Sequence, residues 1–447
     1  MFTLAQHQAY GSSLIDAVGS VGLFYGCGCG KTATVLDWVY RHVTDGTASE
    51  ILVVCPASLR SNWALSIDRM AEFEGYTKEG IDAVREAVVI RSYQGIYKPI
   101  VKETRHRDGT VSSKRSYVLR DDIAHHWDLI VADESHALGS HSSVQTRMCI
   151  ELAKYGDIRV PMSGTPVTGG GKRADWSKLY GQLEFIEPGI FGTWKKFCLR
   201  YVRSMDPWGK PSSYDEVACE DVINSHGAFV RLEDVRDMPE RVFTMMPVKM
   251  GRRARQAYED IRKGKAEEWG IDIRIAGAQY AKLYQICSGF LYRDDGTCTT
   301  FETEKDDLIR QLVMDADGKV VIFARYSQTI DKLCQMIPDA VRFDGSSKGP
   351  TWEEFQYGGA KVIIVQYKKG CAGIDLLASH TMIFYEPTLS ALELDQSQDR
   401  IYRTGQLNQC RYIFLYSQDT FEQKAVESVR SGVDVTHALM DKWSAVR

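Results

Sequence analysis

The chain has 447 residues, 44% hydrophobic and 26% charged, which is material for two or three domains with ordinary buried cores. A net charge of −4 excludes a global basic field, so any nucleic-acid binding has to come from local patches and backbone amides. The 11 cysteines form no CxxC pair or zinc-spaced cluster, and no apolar run reaches membrane-spanning length. With no signal pattern at the N-terminus, these features predict a soluble protein in a reducing cytoplasm, with no membrane partner.

In chain order, the first informative segment is Leu4-Ala-Gln-His-Gln8, followed by Gly26-Cys-Gly-Cys-Gly-Lys-Thr32. Glycines at 26, 28 and 30 let the backbone curl so that successive N–H groups point at phosphate oxygens, and the following helix adds its N-terminal dipole. Lys31 would neutralise the β- and γ-phosphates, and the Thr32 hydroxyl would ligate Mg²⁺. The strict consensus asks for glycine where this chain has Tyr25. A plain glycine-rich strand-to-helix turn is the competing reading of the loop taken alone.

Short β-branched apolar runs at 51–55, 87–90 and 129–132 read as buried parallel strands alternating with helices. Between the last two, the charged stretch 102–120 carries an Asp108-Gly109 turn signal and reads as a protruding β-hairpin. Its lysines and arginines would suit a strand wedge or a duplex grip; an ordinary polar loop is the alternative. The run 129–132 ends on Asp133-Glu-Ser-His136, at the strand edge where open α/β sheets bind ligands. Asp133 suits Mg²⁺ contact, and Glu134 suits a base for the attacking water. A simple helix N-cap is the bland alternative for this acidic pair.

Residues 250–310 read as mostly helical, after a junction at Asp237-Met-Pro-Glu-Arg241. A second set of strand-like runs follows at 320–323, 361–365, 381–385 and 411–415. The domain expectation is therefore 1–240 for a first lobe, with the hairpin at 102–120, and 241–447 for a second. In the string Gln396-Ser-Gln-Asp-Arg-Ile-Tyr-Arg-Thr-Gly-Gln406, Arg400 and Arg403 are three apart and share a face if the segment is helical. Two guanidinium groups facing a γ-phosphate would stabilise transition-state charge; a solvated basic helix face is the commoner fate of such a pair.

Taken together, these strings resemble superfamily 2 helicases and, within them, the SWI/SNF-type DNA translocases. Residues 26–32 resemble motif I, 133–136 the DEAH-type motif II, Ser163-Gly-Thr-Pro166 motif III, and 396–406 motif VI. Pro56-Ala-Ser-Leu59 with Asn62-Trp63 is similar to motif Ia, Ser92-Tyr93 to motif Ib, and 176–197 to the pattern after motif III. Residues 4–8 resemble the opening element whose glutamine, here Gln8, reads adenine in relatives. Lys369-Gly-Cys-Ala-Gly-Ile-Asp-Leu376 is similar to motif V, without its usual glycine doublet and with Asp375 where asparagine is common. The approach to motif VI lacks the family's Trp-Asn-Pro, and Tyr402 replaces its histidine. The short span around these motifs suggests a minimal branch, of bacterial or phage kind.

The resemblance implies two tandem RecA-like, doubly wound parallel-sheet lobes with ATP in the interlobe cleft. It implies Lys31, Asp133, Glu134, Arg400 and Arg403 as the hydrolytic set, and Thr32 with Asp133 as the Mg²⁺ ligands. Gln8, Gly28, Gly30, Lys31, Thr32, Gly373, Asp375 and Gln396 would hold the nucleotide. Ser58, Asn62, Ser92, Tyr93 and Thr165 would hold DNA phosphates, although such residues more often serve turns and caps. Trp63 and Trp176 read as core. The implied activity is a nucleic-acid-dependent ATPase that moves a monomer along double-stranded DNA and remodels protein–DNA or fork structures. Two alternatives share every ATPase motif: a strand-separating DNA or RNA helicase, for which single-stranded DNA or RNA would be a partner, and a motor subunit of a larger defence or recombination complex.

Overall fold

The computed structural model describes residues 3–105, 111–167, 174–273, 276–346, 349, 351–370 and 374–431. The chain divides into two compact units, Met1–Asp237 and Met238–Arg447. In the first lie β1 (Gly22–Tyr25), β2 (Ile51–Cys55), β3 (Val88–Ser92), β4 (Tyr97–Arg105), β5 (Val111–Leu119), β6 (Trp127–Asp133), β7 (Gly156–Met162), β8 (Val202–Met205), β9 (Pro211–Tyr214) and β10 (Gly227–Val230).

Six of these form one sheet in the order β10-β1-β7-β6-β2-β3, with all its neighbouring strands parallel. Parallel strands need crossover helices, and helices on both faces leave no wet side. That is why β2, Ile-Leu-Val-Val-Cys, is buried at every position and shows no alternation. Strand β7 escapes an apolar-run reading because Arg159 and Pro161 interrupt it. The Arg159 guanidinium is satisfied instead by the carbonyls of Ile186 at 2.8 Å and Gly156 at 2.7 Å.

The carboxyl ends of five neighbouring strands deliver the motifs. Strand β1 leads into 26–32, β7 into 163–166, β6 into 133–136, β2 into 56–63 and β3 into 92–93. Helix Lys178–Ile186 packs so closely on the turn Ser135–Leu138 that a Cβ at Gly181 would sit 2.1 Å from the Leu138 carbonyl oxygen. Glycine there lets the helix brace the acidic turn. The charged stretch lies in an antiparallel pair, β4 with β5, whose register runs from Tyr97↔Leu119 to Arg105↔Val111, so the pairing starts before residue 102. The Asp108-Gly109 turn falls outside the described residues.

The second unit holds β11 (Arg241–Val248), β12 (Phe290–Tyr292), β13 (Cys298–Thr300), β14 (Lys319–Ala324), β15 (Val341–Phe343), β16 (Val362–Gln366), β17 (Ser379–Phe384) and β18 (Cys410–Ser417). Its sheet, in the order β11-β18-β17-β14-β16-β15, is again parallel throughout. The expected architecture of two doubly wound parallel-sheet lobes is thus the one the chain adopts. Residues 250–310 contain the helices Arg252–Arg262, Ala276–Cys287 and Glu304–Met314, and also the hairpin β12–β13, which the helical reading did not include.

Lys305 and Glu422, both fully buried, pair at 2.6 Å and tie helix Glu304–Met314 to helix Phe421–Arg430. Lys305 also donates to the Tyr385 carbonyl, and Glu422 accepts from the Ser417 amide, so neither charge is left unmatched. One expectation is corrected here. Helix Ala391–Gln398 stops before the arginines, so Arg400 and Arg403 lie on irregular chain and not on one helical face.

Candidate nucleotide site

The loop 26–30, expected to cradle phosphate, is built on left-handed glycines. Gly28 has φ +80° and Gly30 φ +79°, conformations that other residues adopt only with strain. Helix Lys31–Thr44 begins immediately after, presenting its free N–H groups to the loop. Lys31 Nζ donates to the Tyr25 carbonyl at 2.8 Å, folded onto the strand end below it. Gln8 lies against the same loop: its Nε2 donates to the Cys29 carbonyl at 3.2 Å, and a Cβ on Gly30 would stand 2.0 Å from it. His7 Nε2 reaches the same carbonyl at 2.8 Å.

Beside the loop opens a cavity of about 220 Å³ lined by Leu4, Thr32, Leu36, Met70, Phe73 and Tyr76 among others. Tyr76 is fixed by its hydroxyl donating to Asp37 at 2.7 Å. Met70, Phe73 and Tyr76 belong to no motif and were not anticipated; their only sequence signal is an aromatic pair just after a helix.

Asp133 is buried, with 7% exposure, and is held at three points. Trp63 Nε1 donates to Oδ2 at 2.8 Å, the Glu134 amide donates to Oδ1 at 2.9 Å, and the Tyr93 hydroxyl donates to the Asp133 carbonyl at 2.8 Å. Glu134 follows in a left-handed conformation, φ +53°, which turns the chain sharply out of β6. Its Oε2 lies 3.2 Å from His136 Nδ1, and that nitrogen is 3.1 Å from Ser163 Oγ. Ser163 Oγ accepts from the Thr165 amide at 3.1 Å, and Gln182 links the Ser135 hydroxyl to the Pro166 carbonyl. A Cβ on Gly164 would be 3.7 Å from Lys31 Nζ. The segments 26–32, 133–136 and 163–166 therefore form one cluster.

The residues expected at DNA divide. Ser58 is exposed and Asn62 half-buried, one after β2 and the other in helix Arg60–Arg69. Ser92 caps the turn Tyr93–Ile96 by accepting from the Gly95 amide at 3.1 Å. Thr165 is half-buried beside Ser163. Tyr93 is 2% exposed and its hydroxyl already donates to Asp133, so its side chain does not offer itself to a phosphate.

In the second unit, Arg400 is 7% exposed; its Nε donates to the Gln396 carbonyl at 2.9 Å and its Nη1 to the Ile374 carbonyl at 3.2 Å. Arg403 is more open and faces Asp375, with 3.7 Å between Nη1 and Oδ1. Asp375 also accepts from the Leu377 amide at 3.1 Å, and Gln396 is half-buried. Gly373 lies outside the described residues. Gln406 is buried and unassigned by sequence; its Nε2 donates to the carbonyls of Ser379 and Ile401, and its Oε1 accepts from the amides of Leu407 and Asn408.

A family model described as the SNF2-related domain matches residues 22–285, more than half of the chain. The chain belongs to the SNF2-related domain family. Among similar proteins, the DNA annealing helicase and endonuclease ZRANB3 of Bos taurus is 21% identical over 415 residues, covering 88% of this chain and 36% of that protein. A RAD54-like DNA repair and recombination protein of Danio rerio is 22% identical over 473 residues, covering 90% of this chain and 62% of its own. The chain thus spans 36% of the one relative and 62% of the other. A Sulfolobus solfataricus SWI2/SNF2 ATPase core solved with double-stranded DNA is 17% identical, covers 96% of this chain and 90% of its own, and has a TM-score of 0.42. The fold assignment rests on the strand order of the two sheets.

In this SNF2-related domain the Asp133 carboxyl is pushed up to about 6, first by burial and then by the Glu134 charge, against the Trp63 hydrogen bond and the Lys31 charge. The ordinary value is 3.8, so the folded state holds the proton more tightly than the unfolded chain. The resulting stabilisation is full below the ordinary value and is lost as pH rises through the folded one. Asp133→Asn is neutral throughout. Without nucleotide it should be more stable than the wild type at pH about 8, by on the order of 2–3 kcal/mol, with the gap closing toward pH about 4. Thermal melts across that range check this; parallel pH profiles for the two proteins would contradict it.

Proposed function

We propose that this chain is an ATP-driven motor that moves along double-stranded DNA. The observation that carries the reading is the clustering of Lys31, the Asp133–Glu134 pair and Ser163 at one sheet edge, with the turns at 56–63 and 92–93 on the next two strand ends. The amides of the 26–30 loop and the start of helix Lys31–Thr44 wrap the phosphates. Lys31 exchanges the Tyr25 carbonyl for a phosphate oxygen, and Gln8 and the neighbouring cavity receive the base. Glu134, oriented by His136, takes the proton of the attacking water.

Thr32 and Asp133 would hold Mg²⁺. Each Asp133 oxygen accepts one N–H and keeps a further lone pair, and its raised carboxyl marks a place where a cation would relieve two neighbouring charges. Bound there, the ion would supply charge neutralisation for the phosphate oxygens.

The proposed lobe bounds are 1–240 and 241–447, and Arg403, Asp375 and Gln396 of the second lobe are proposed to serve ATP turnover. DNA phosphates would meet Ser58, Asn62, Ser92 and Thr165. Among the described residues no helix is long and apolar enough to cross a membrane. The free thiols of the described cysteines fit the reducing cytoplasm proposed for the chain, and a monomer is proposed as the working form.

The test is ATP hydrolysis without nucleic acid and with duplex DNA, single-stranded DNA or RNA. Strong stimulation by duplex alone is expected. Stimulation mainly by single strands or RNA would favour a strand-separating helicase, and none at all would favour a subunit that needs a partner.

A further inference from the structure

The two turns assigned to DNA share a feature that the motif reading left out. At each, a polar residue proposed above to meet a phosphate is followed immediately by a buried aromatic whose polar atom ends on Asp133. After β2 the pair is Asn62 and Trp63, and the Trp63 indole N–H donates to the Asp133 carboxylate at 2.8 Å. After β3 the pair is Ser92 and Tyr93, and the Tyr93 hydroxyl donates to the Asp133 backbone carbonyl at 2.8 Å. Both rings are 2% exposed, so neither is available to nucleic acid. Both hydrogen bonds are buried, where such bonds are strong and a lost partner is expensive.

The two bonds grip different parts of the acidic turn. Trp63 fixes the carboxylate itself. Tyr93 fixes the peptide between Asp133 and Glu134, and Glu134 leaves that peptide in a left-handed conformation that aims its side chain at His136. A displacement of helix Arg60–Arg69 would therefore move the Asp133 carboxylate, and a displacement of the Tyr93–Ile96 turn would swing Glu134.

We propose that Trp63 and Tyr93 are the positioning residues that transmit phosphate contact at Asn62 and Ser92 to Asp133 and Glu134. Binding of a phosphate backbone at the two turns sets both acidic groups for hydrolysis. The inference rests on the DNA-motor reading and adds the route by which the polymer controls the chemistry.

The test compares Tyr93→Phe, and Trp63 replaced by benzothienylalanine, which keeps the ring shape and removes the N–H donor. Basal turnover, duplex-stimulated turnover, KM for ATP, the duplex concentration for half-stimulation and Tm are measured for each. The stimulated rate should fall roughly tenfold or more beyond any fall in the basal rate. KM and half-stimulating duplex should stay within about threefold of the wild type, since neither aromatic touches a ligand. Equal loss of basal and stimulated rates would reduce both residues to general scaffolding, and full stimulation in both variants would remove them from the route. A wild-type chain that no nucleic acid stimulates would instead overturn the motor reading, and the route with it.

Discussion

Glu134→Gln is expected to lower ATP turnover by roughly 10²–10⁴, the range for removing a positioned general base. The substitution keeps the side chain's length and an oxygen that can still face His136 Nδ1, now 3.2 Å from Oε2. It also leaves the left-handed backbone at φ +53° with a residue of similar size. Nucleotide affinity should change little, because the phosphate loop, Lys31 and the cavity beside it are untouched. Turnover measured with binding of a fluorescent nucleotide separates the two effects. A residual rate within about tenfold of wild type would place the base elsewhere.

Substitution of the two arginines should separate roles that a motif string gives jointly. Arg400 is buried and donates to two backbone carbonyls, those of Gln396 and Ile374, so it holds the end of helix Ala391–Gln398 to the segment around 374. Arg400→Ala leaves the buried Ile374 carbonyl and the part-buried Gln396 carbonyl without this donor and should cost about 1–3 kcal/mol of stability. Arg403 has one long contact, to Asp375 at 3.7 Å, and is open enough to turn toward a phosphate. Arg403→Ala should leave the melting temperature nearly unchanged and lower turnover by on the order of 10³, the lower end for an arginine finger. Equal stability losses, or turnover unaffected by Arg403→Ala, would contradict this division.

Much of the fold was legible because buried parallel strands write themselves as unbroken apolar runs: 51–55, 129–132 and 320–323 fall within strands, and 361–365 does so from Val362 onward. Strand β7 was not, since Arg159 and Pro161 break the run and the guanidinium finds its partners only after folding. The hairpin β12–β13 was lost within a segment dominated by helical periods. At the site, the phosphate loop and the acidic pair were legible because their chemistry is local in sequence. The tertiary partners were not. Nothing in the order of residues says that the Trp63 indole ends on a carboxylate 70 positions away, or that Arg400 turns inward while Arg403 does not. Likewise Met70, Phe73 and Tyr76 become a lining only when helix Lys31–Thr44 packs beside them.

The most direct test of the motor itself is ATP turnover against the length of duplex DNA at constant total phosphate, with Glu134→Gln as the blank. A motor that travels before it dissociates turns over faster on longer duplexes until length exceeds its run. The account predicts that rise and plateau with duplex and a weaker, flatter response with single strands. Turnover stimulated equally by short and long duplexes would mean that binding activates the ATPase without movement, and would contradict the central claim.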